Sequence, residues 1–107
     1  MMIDDYAAWA AKVIPTRLGA AASTEDRQLM YLVLALAGEV GEVADHVKKV
    51  LRDGTWDRDH LASELGDVIY YWAGLCAMAG CVPSELLERS VTTIEMRIAK
   101  QASVRSN

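Results

Sequence analysis

The sequence predicts an all-α fold: a four-helix chain whose two long antiparallel helices carry paired carboxylates and assemble into an oligomeric helical bundle. Three observations lead there. Apolar residues recur at helical spacing in four segments, Pro, Gly and capping residues fill the breaks, and no β-rich run, internal repeat or low-complexity tract intervenes. Hydrophobic residues make up 52% of the 107 positions, slightly more than in an average soluble domain, and a helical chain this short buries only a modest share of its surface by itself. A partner subunit is therefore expected to complete the core.

The first helix is expected over residues 3 to 14, IDDYAAWAAKVI, with Ile3, Tyr6, Ala10 and Val13 at helical spacing and Pro15 as its stop. A linker, TRLGAAAS, leads to Ser23 or Thr24 as the cap of a long second helix. Glu25 and Asp26 lie in its first turn, Lys48, Lys49 and Arg52 in its last turns, and Asp53-Gly54 supplies a left-handed stop. Thr55 or Asp57 caps the third helix, which runs to Gly80. Pro83 opens the fourth at a first-turn position, and its pattern persists through LLERSVTTIEMRIAK. Residues 1–100 thus read as one domain and residues 101–107 as a polar tail.

Charge and composition exclude several classes. With a net charge of −4 and a pI near 5.0, the chain has no broad basic surface for duplex nucleic acid. No run of 18 apolar residues is present, so no membrane association is expected, and MMIDDYAAW carries acids where a secretory signal carries lysine or arginine. A cytoplasmic location is the expectation. Cys76 and Cys81 match neither a redox CxxC nor a zinc-knuckle spacing and read as reduced, mostly buried thiols.

The chemistry is concentrated in AGEVGEVADHVKK, residues 37 to 49, which follows the apolar run LMYLVLALA. At about 100° per residue, Glu39, Glu42, His46 and Lys49 share one stripe of the second helix, with Asp45 at its margin. Leu32, Val33, Leu36, Val40, Val43, Val47 and Val50 surround that stripe on both sides. The third helix repeats the device: Glu64 and Asp67 are three apart, with Tyr71 one turn beyond and apolar neighbours around them. Carboxylates gathered at one partly buried locus repel one another, and a hard divalent ion, Mg²⁺ or Mn²⁺, answers them with its preference for oxygen ligands. Gly38, Gly41 and Gly66 each abut an acid and each weakens its helix by up to about 1 kcal/mol, which suggests that backbone or ligand approaches closely there.

EVGE, a gap of 21 residues, and then ELGDVIYY resemble the MazG-like, all-α nucleoside triphosphate pyrophosphohydrolases, whose signature is an ExxE pair on one helix and an ExxD pair on the next. The resemblance covers roughly residues 29 to 99. It implies that Glu39, Glu42, Glu64 and Asp67 are metal ligands and catalytic groups for Mg²⁺ or Mn²⁺, that a nucleoside triphosphate is split between its α and β phosphates to monophosphate and pyrophosphate, and that subunits form a homo-oligomer, dimer or tetramer. Two features depart from the family pattern. Gly38 stands where many relatives carry a further glutamate, and Ser90, Thr93 and Arg97 stand where relatives carry Asn, Lys and Arg.

Within that chemistry Lys49, and beside it Lys48, are placed to meet the outer phosphates, with Arg97 as a further cation. Tyr71 is a candidate to stack on base or ribose, and Trp9 and Trp56 to border a base pocket. Two other classes compete. A ferritin-like di-iron protein needs Glu-x-x-His pairs on two helices, but His46 follows Glu42 by four, so the second helix fails that pattern. A catalytically degenerate nucleotide- or protein-binding module is the second alternative.

Overall fold

The structure is a computed structural model that describes residues 1–106. It contains α1 (Ile3–Val13), two short 3₁₀ turns (Ile14–Arg17 and Ala20–Ala22), α2 (Glu25–Asp53), α3 (Arg58–Met78) and α4 (Pro83–Ser106), and no strand among the described residues. Local chemistry sets most boundaries. The Thr24 side chain accepts from the Arg27 backbone N–H to open α2, and the Asp57 side chain accepts from the His60 N–H to open α3. Gly54, at φ 80°, lets its N–H reach the Val50 carbonyl and close α2. After α3 the Gly80 N–H donates to Ala77 and the Cys81 N–H to Cys76, a two-bond closure that needs the left-handed φ of 78° at Gly80.

Two segments differ from the sequence expectation. Part of the linker TRLGAAAS is wound into 3₁₀ turns, and Arg27 and Gln28 side chains donate back to the Ala21 and Ala22 carbonyls, tying it to the start of α2. The polar stretch after Lys100 continues α4 through Ser106, because QASVRS contains neither Gly nor Pro to stop it. Asn107, the last residue of the expected tail, lies outside the described residues.

The core is small and uses small side chains. Ala7 and Ala10 of α1 and Ala73 and Gly74 of α3 are buried, letting these helices approach closely, while Ile14 and Leu32 fill the space around them. Gly74 has a definite role: a Cβ there would collide with the Ile14 Cδ1 atom. α2 and α3 run antiparallel, since Tyr31 meets Tyr71 while His46, further along α2, meets Glu64, earlier on α3.

α4 is held differently. It leaves α3 through a bend of 105°, and Asp4 fixes its start by accepting from the Ser84 N–H at 2.8 Å and the Ser84 hydroxyl at 2.5 Å. The radius of gyration is 17.5 Å, well above the roughly 13 Å of a compact domain this long. Val33, Leu34, Val40 and Leu51 of α2 and Leu87, Val91, Ile94 and Ile98 of α4 remain exposed. No single helix among the described residues is long and apolar enough to cross a membrane.

Candidate functional site

The antiparallel pairing of α2 and α3 puts the Glu39 carboxyl within electrostatic range of Asp67 and Glu64 across the helix pair. Glu39 is half-buried, and its carboxyl is pushed above the ordinary 4.5, first by loss of solvent and then by the negative charges of Asp67, Glu42 and Glu64. All three other acids singled out from the sequence thus act on Glu39. Glu42 and Asp67 are exposed, whereas Glu64 is buried, at 6% exposure. Each of Gly38, Gly41 and Gly66 has open space beside it: a Cβ at any of the three would meet nothing within 4 Å. The expected close approach at these glycines is therefore not found among the described residues. The one crowded glycine among them is Gly74, where side-chain atoms of Ile14 and Ala10 stand in the way of a Cβ.

Glu64 has neighbours that the spacing of the acids did not reveal. His46 Nδ1 of α2 lies 3.2 Å from Glu64 Oε1, and His60 Nε2, one turn earlier on α3, lies 3.6 Å from the same oxygen. The His46 contact is out of hydrogen-bonding alignment and leaves Glu64 Oε1 buried without a hydrogen-bond partner; the other His46 ring nitrogen, Nε2, is buried without one as well. His46 is itself 8% exposed. His60 stacks on it at 5.6 Å and the Trp56 ring covers it at 5.8 Å. Trp56 accordingly borders the histidines.

A tyrosine-rich cavity adjoins the acids on the other side. Ile14, Arg17, Leu18, Tyr31, Tyr70 and Tyr71 line a space of about 360 Å³. The Tyr71 hydroxyl is pushed up to about 12, mainly by burial, then by its hydrogen bond with Tyr31, with the Glu39 charge adding to the effect. Tyr71 thus lines this cavity and also feels the charge of Glu39. Tyr6 of α1 is raised by burial, then by Tyr70 and Asp67, so α1 reaches the same locus. Arg17, in the linker, is a cation of this cavity that sequence spacing gave no reason to select. Trp9 packs against Tyr6 and Tyr70 and does not line it.

The expected phosphate-binding cations are placed otherwise. Lys48 and Lys49 both pair with Asp45 at 2.9 Å on the exposed side of α2, and these two hydrogen bonds hold the Asp45 carboxyl at about 2. Asp45 also raises Lys49, with a smaller contribution from Glu42, so Lys49 still lies within reach of the acidic track's field. Arg97 lines a groove with Thr93, Met96 and Lys100. All four belong to α4, and the 105° bend after α3 turns that helix away from the α2–α3 pair, so the structure does not bring Arg97 to the acids of its own chain. Cys76 is buried and Cys81 exposed, both as free thiols; Cys81 sits in the Gly80 turn, where its backbone N–H donates to the Cys76 carbonyl.

Comparison with known proteins bears on this site directly. The chain is 38% identical over 74 residues to the Gene 37 protein of Mycobacterium phage L5, a match covering 64% of this chain and 65% of that protein. No solved structure matches. The model of the MazG nucleotide pyrophosphohydrolase domain matches residues 27–94, a stretch that contains both carboxylate pairs, His46, His60 and the Tyr31–Tyr71 contact. The chain belongs to the MazG nucleotide pyrophosphohydrolase domain family.

Proposed function

We propose that the protein hydrolyses a nucleoside triphosphate, ribo- or deoxyribo-, between its α and β phosphates, using Mg²⁺ or Mn²⁺. The observation that carries this reading is the setting of Glu39: a half-buried carboxyl raised first by loss of solvent and then by the charges of three further acids, while Lys48 and Lys49, further along α2, are both paired with Asp45. The donor set fits a hard divalent ion, being all oxygen and drawn from two antiparallel helices. Glu39, Glu42, Glu64 and Asp67 would hold it. When bound, such an ion neutralises phosphate oxygens and makes coordinated water more acidic.

The chain's own groups do the rest. A carboxylate left partly free, Glu39 for preference because its affinity for protons is already raised, accepts the proton of the attacking water. The water oxygen bonds to the α phosphorus, the bond from that phosphorus to the α–β bridging oxygen breaks, and pyrophosphate leaves. Lys49 exchanges Asp45 for an outer phosphate oxygen. The Tyr31–Tyr71 cavity, with Arg17 at its wall, receives the nucleoside, where an aromatic face stacks on a base. A homo-oligomer, dimer or tetramer, covers the exposed apolar faces of α2 and α4.

The test is a panel of common ribo- and deoxyribonucleoside triphosphates with Mg²⁺ or Mn²⁺, read by product chromatography. Monophosphate and pyrophosphate are expected, and Glu39→Gln or Asp67→Asn should lower kcat by roughly two to four orders of magnitude. Diphosphate with inorganic phosphate would refute the cleavage site. No turnover of any nucleotide, with nucleotide binding retained, would favour a binding module.

A further inference from the structure

The hydrolase reading uses Glu64 as one oxygen donor among four and leaves its two histidine neighbours without a task. His60 and Glu64 are four apart on α3, so their side chains lie on one face. His46 reaches the same carboxylate from α2. One nitrogen of each imidazole and one Glu64 oxygen all lie within 4.8 Å of one another, with nitrogen-to-Oε1 distances of 3.2 and 3.6 Å. Around a tetrahedral ion with bonds near 2.0–2.1 Å, neighbouring ligand atoms stand about 3.3 Å apart. Two of the three separations bracket that value, and rotation of His60, whose side chain is 63% exposed, closes the third.

Glu64 Oε1 supplies the independent sign of a missing ligand. It is buried with no hydrogen-bond partner, although two imidazole nitrogens flank it, and buried polar atoms are ordinarily satisfied. A pair serving only structure would align the imidazole N–H with the oxygen. Here the oxygen stays unsatisfied with two imidazole nitrogens at 3.2 and 3.6 Å.

We propose that His46, His60 and Glu64 form a binding site for a first-row transition-metal ion of the Zn²⁺ class, separate from the all-oxygen set and sharing only Glu64 with it. Two imidazoles and one carboxylate suit Zn²⁺ or Co²⁺ and discriminate against Mg²⁺, which takes oxygen ligands and keeps much of its water. Three protein ligands leave a fourth position for water or a phosphate oxygen. The Trp56 ring over His46 screens one side of the site from solvent. The site stands on these distances and does not depend on hydrolase activity.

The experiment is titration of the full-length, metal-stripped protein with Co²⁺, following the visible absorption of low-symmetry cobalt and the emission of Trp56, the latter assigned by its loss in Trp56→Phe. One Co²⁺ per chain is expected, displaced by equimolar Zn²⁺ and retained in a hundredfold excess of Mg²⁺. His60→Ala, at a largely exposed position and checked for retained helicity by circular dichroism, should weaken Co²⁺ binding at least tenfold, while Glu39→Gln, Asp67→Asn and Cys81→Ser should leave the absorption in place. Absence of the cobalt absorption in folded protein would overturn the proposal. So would unchanged binding in His60→Ala, or loss of the absorption in Glu39→Gln, which would assign the ion to the carboxylate set. Failure of the hydrolase reading registers separately, as absence of pyrophosphate release.

Discussion

Two glycines on α3, eight residues apart, are expected to respond in opposite directions to the same substitution. A glycine inside a helix costs about 1 kcal/mol relative to alanine. At Gly66 an added Cβ meets nothing within 4 Å, so Gly66→Ala should recover most of that amount. At Gly74 the added Cβ runs into Ile14 Cδ1 in a pocket where Ile14 is only 2% exposed and the Ala10 Cβ stands 3.6 Å away. Overpacking of this kind costs about 1–3 kcal/mol, which outweighs the propensity gain and leaves a net loss near 1 kcal/mol. For a domain of this size each kcal/mol moves the melting temperature by about 4 °C. Thermal unfolding by circular dichroism of the metal-free protein should therefore show Gly66→Ala about 4 °C above the parent and Gly74→Ala about 4 °C below it. A fall in Gly66→Ala would refute the open-space reasoning and show that another chain packs against that stretch of α3.

Divalent metal should raise the melting temperature of the parent with increasing concentration, by the equivalent of about 2.7 kcal/mol at a hundredfold excess over Kd; differential scanning fluorimetry should show the gain lost in Asp67→Asn. The pH dependence of stability should carry two opposite contributions. Glu39 is raised above 4.5 on folding, so it favours the folded state below that pH and the advantage is lost as pH rises through its folded value; Glu39→Gln should flatten this decline in urea titrations of metal-free protein. Asp45 is lowered from 3.8 to about 2, so its contribution is present above 3.8 and lost as pH falls through about 2, a dependence that Asp45→Asn should remove. In steady-state kinetics Lys49→Ala should raise KM more than it lowers kcat, the signature of a contact made equally in ground and transition states. Sedimentation velocity should show an oligomer at micromolar concentration; a folded monomer there would refute the coverage of α2 and α4 by a second copy.

What was legible in the sequence was what local chemistry decides. Thr24, Gly54, Asp57 and Pro83 mark helix ends because each meets a backbone requirement within a few residues, and the end of α4 was misplaced because no such mark exists after Lys100. For the acids, the three-residue spacing fixes a face of each helix, and what the structure adds is that Glu39 feels Asp67 and Glu64 across the α2–α3 pair. The histidines were not. His46 and His60 converge on Glu64 only once the turn between α2 and α3 sets the register. Asp45 is a different case, since its positions three and four residues before Lys48 and Lys49 were visible in the chain and announced the pairing that holds both lysines. Arg97 needed the direction of α4, which depends on the Gly80 turn and on a contact from the opposite end of the molecule.

That contact is in effect a helix cap supplied from 80 positions away. The first N–H groups of a helix lack internal partners, and α4 satisfies its Ser84 N–H with a carboxylate from the first turn of α1. The direction in which α4 projects is consequently written partly into the opening residues of the chain. A protein shortened past Asp4, or changed there to alanine, would keep the α2–α3 pair and its acids but present its exposed apolar helix at an altered angle, so the first few residues set the direction of a surface that lies at the far end of the sequence.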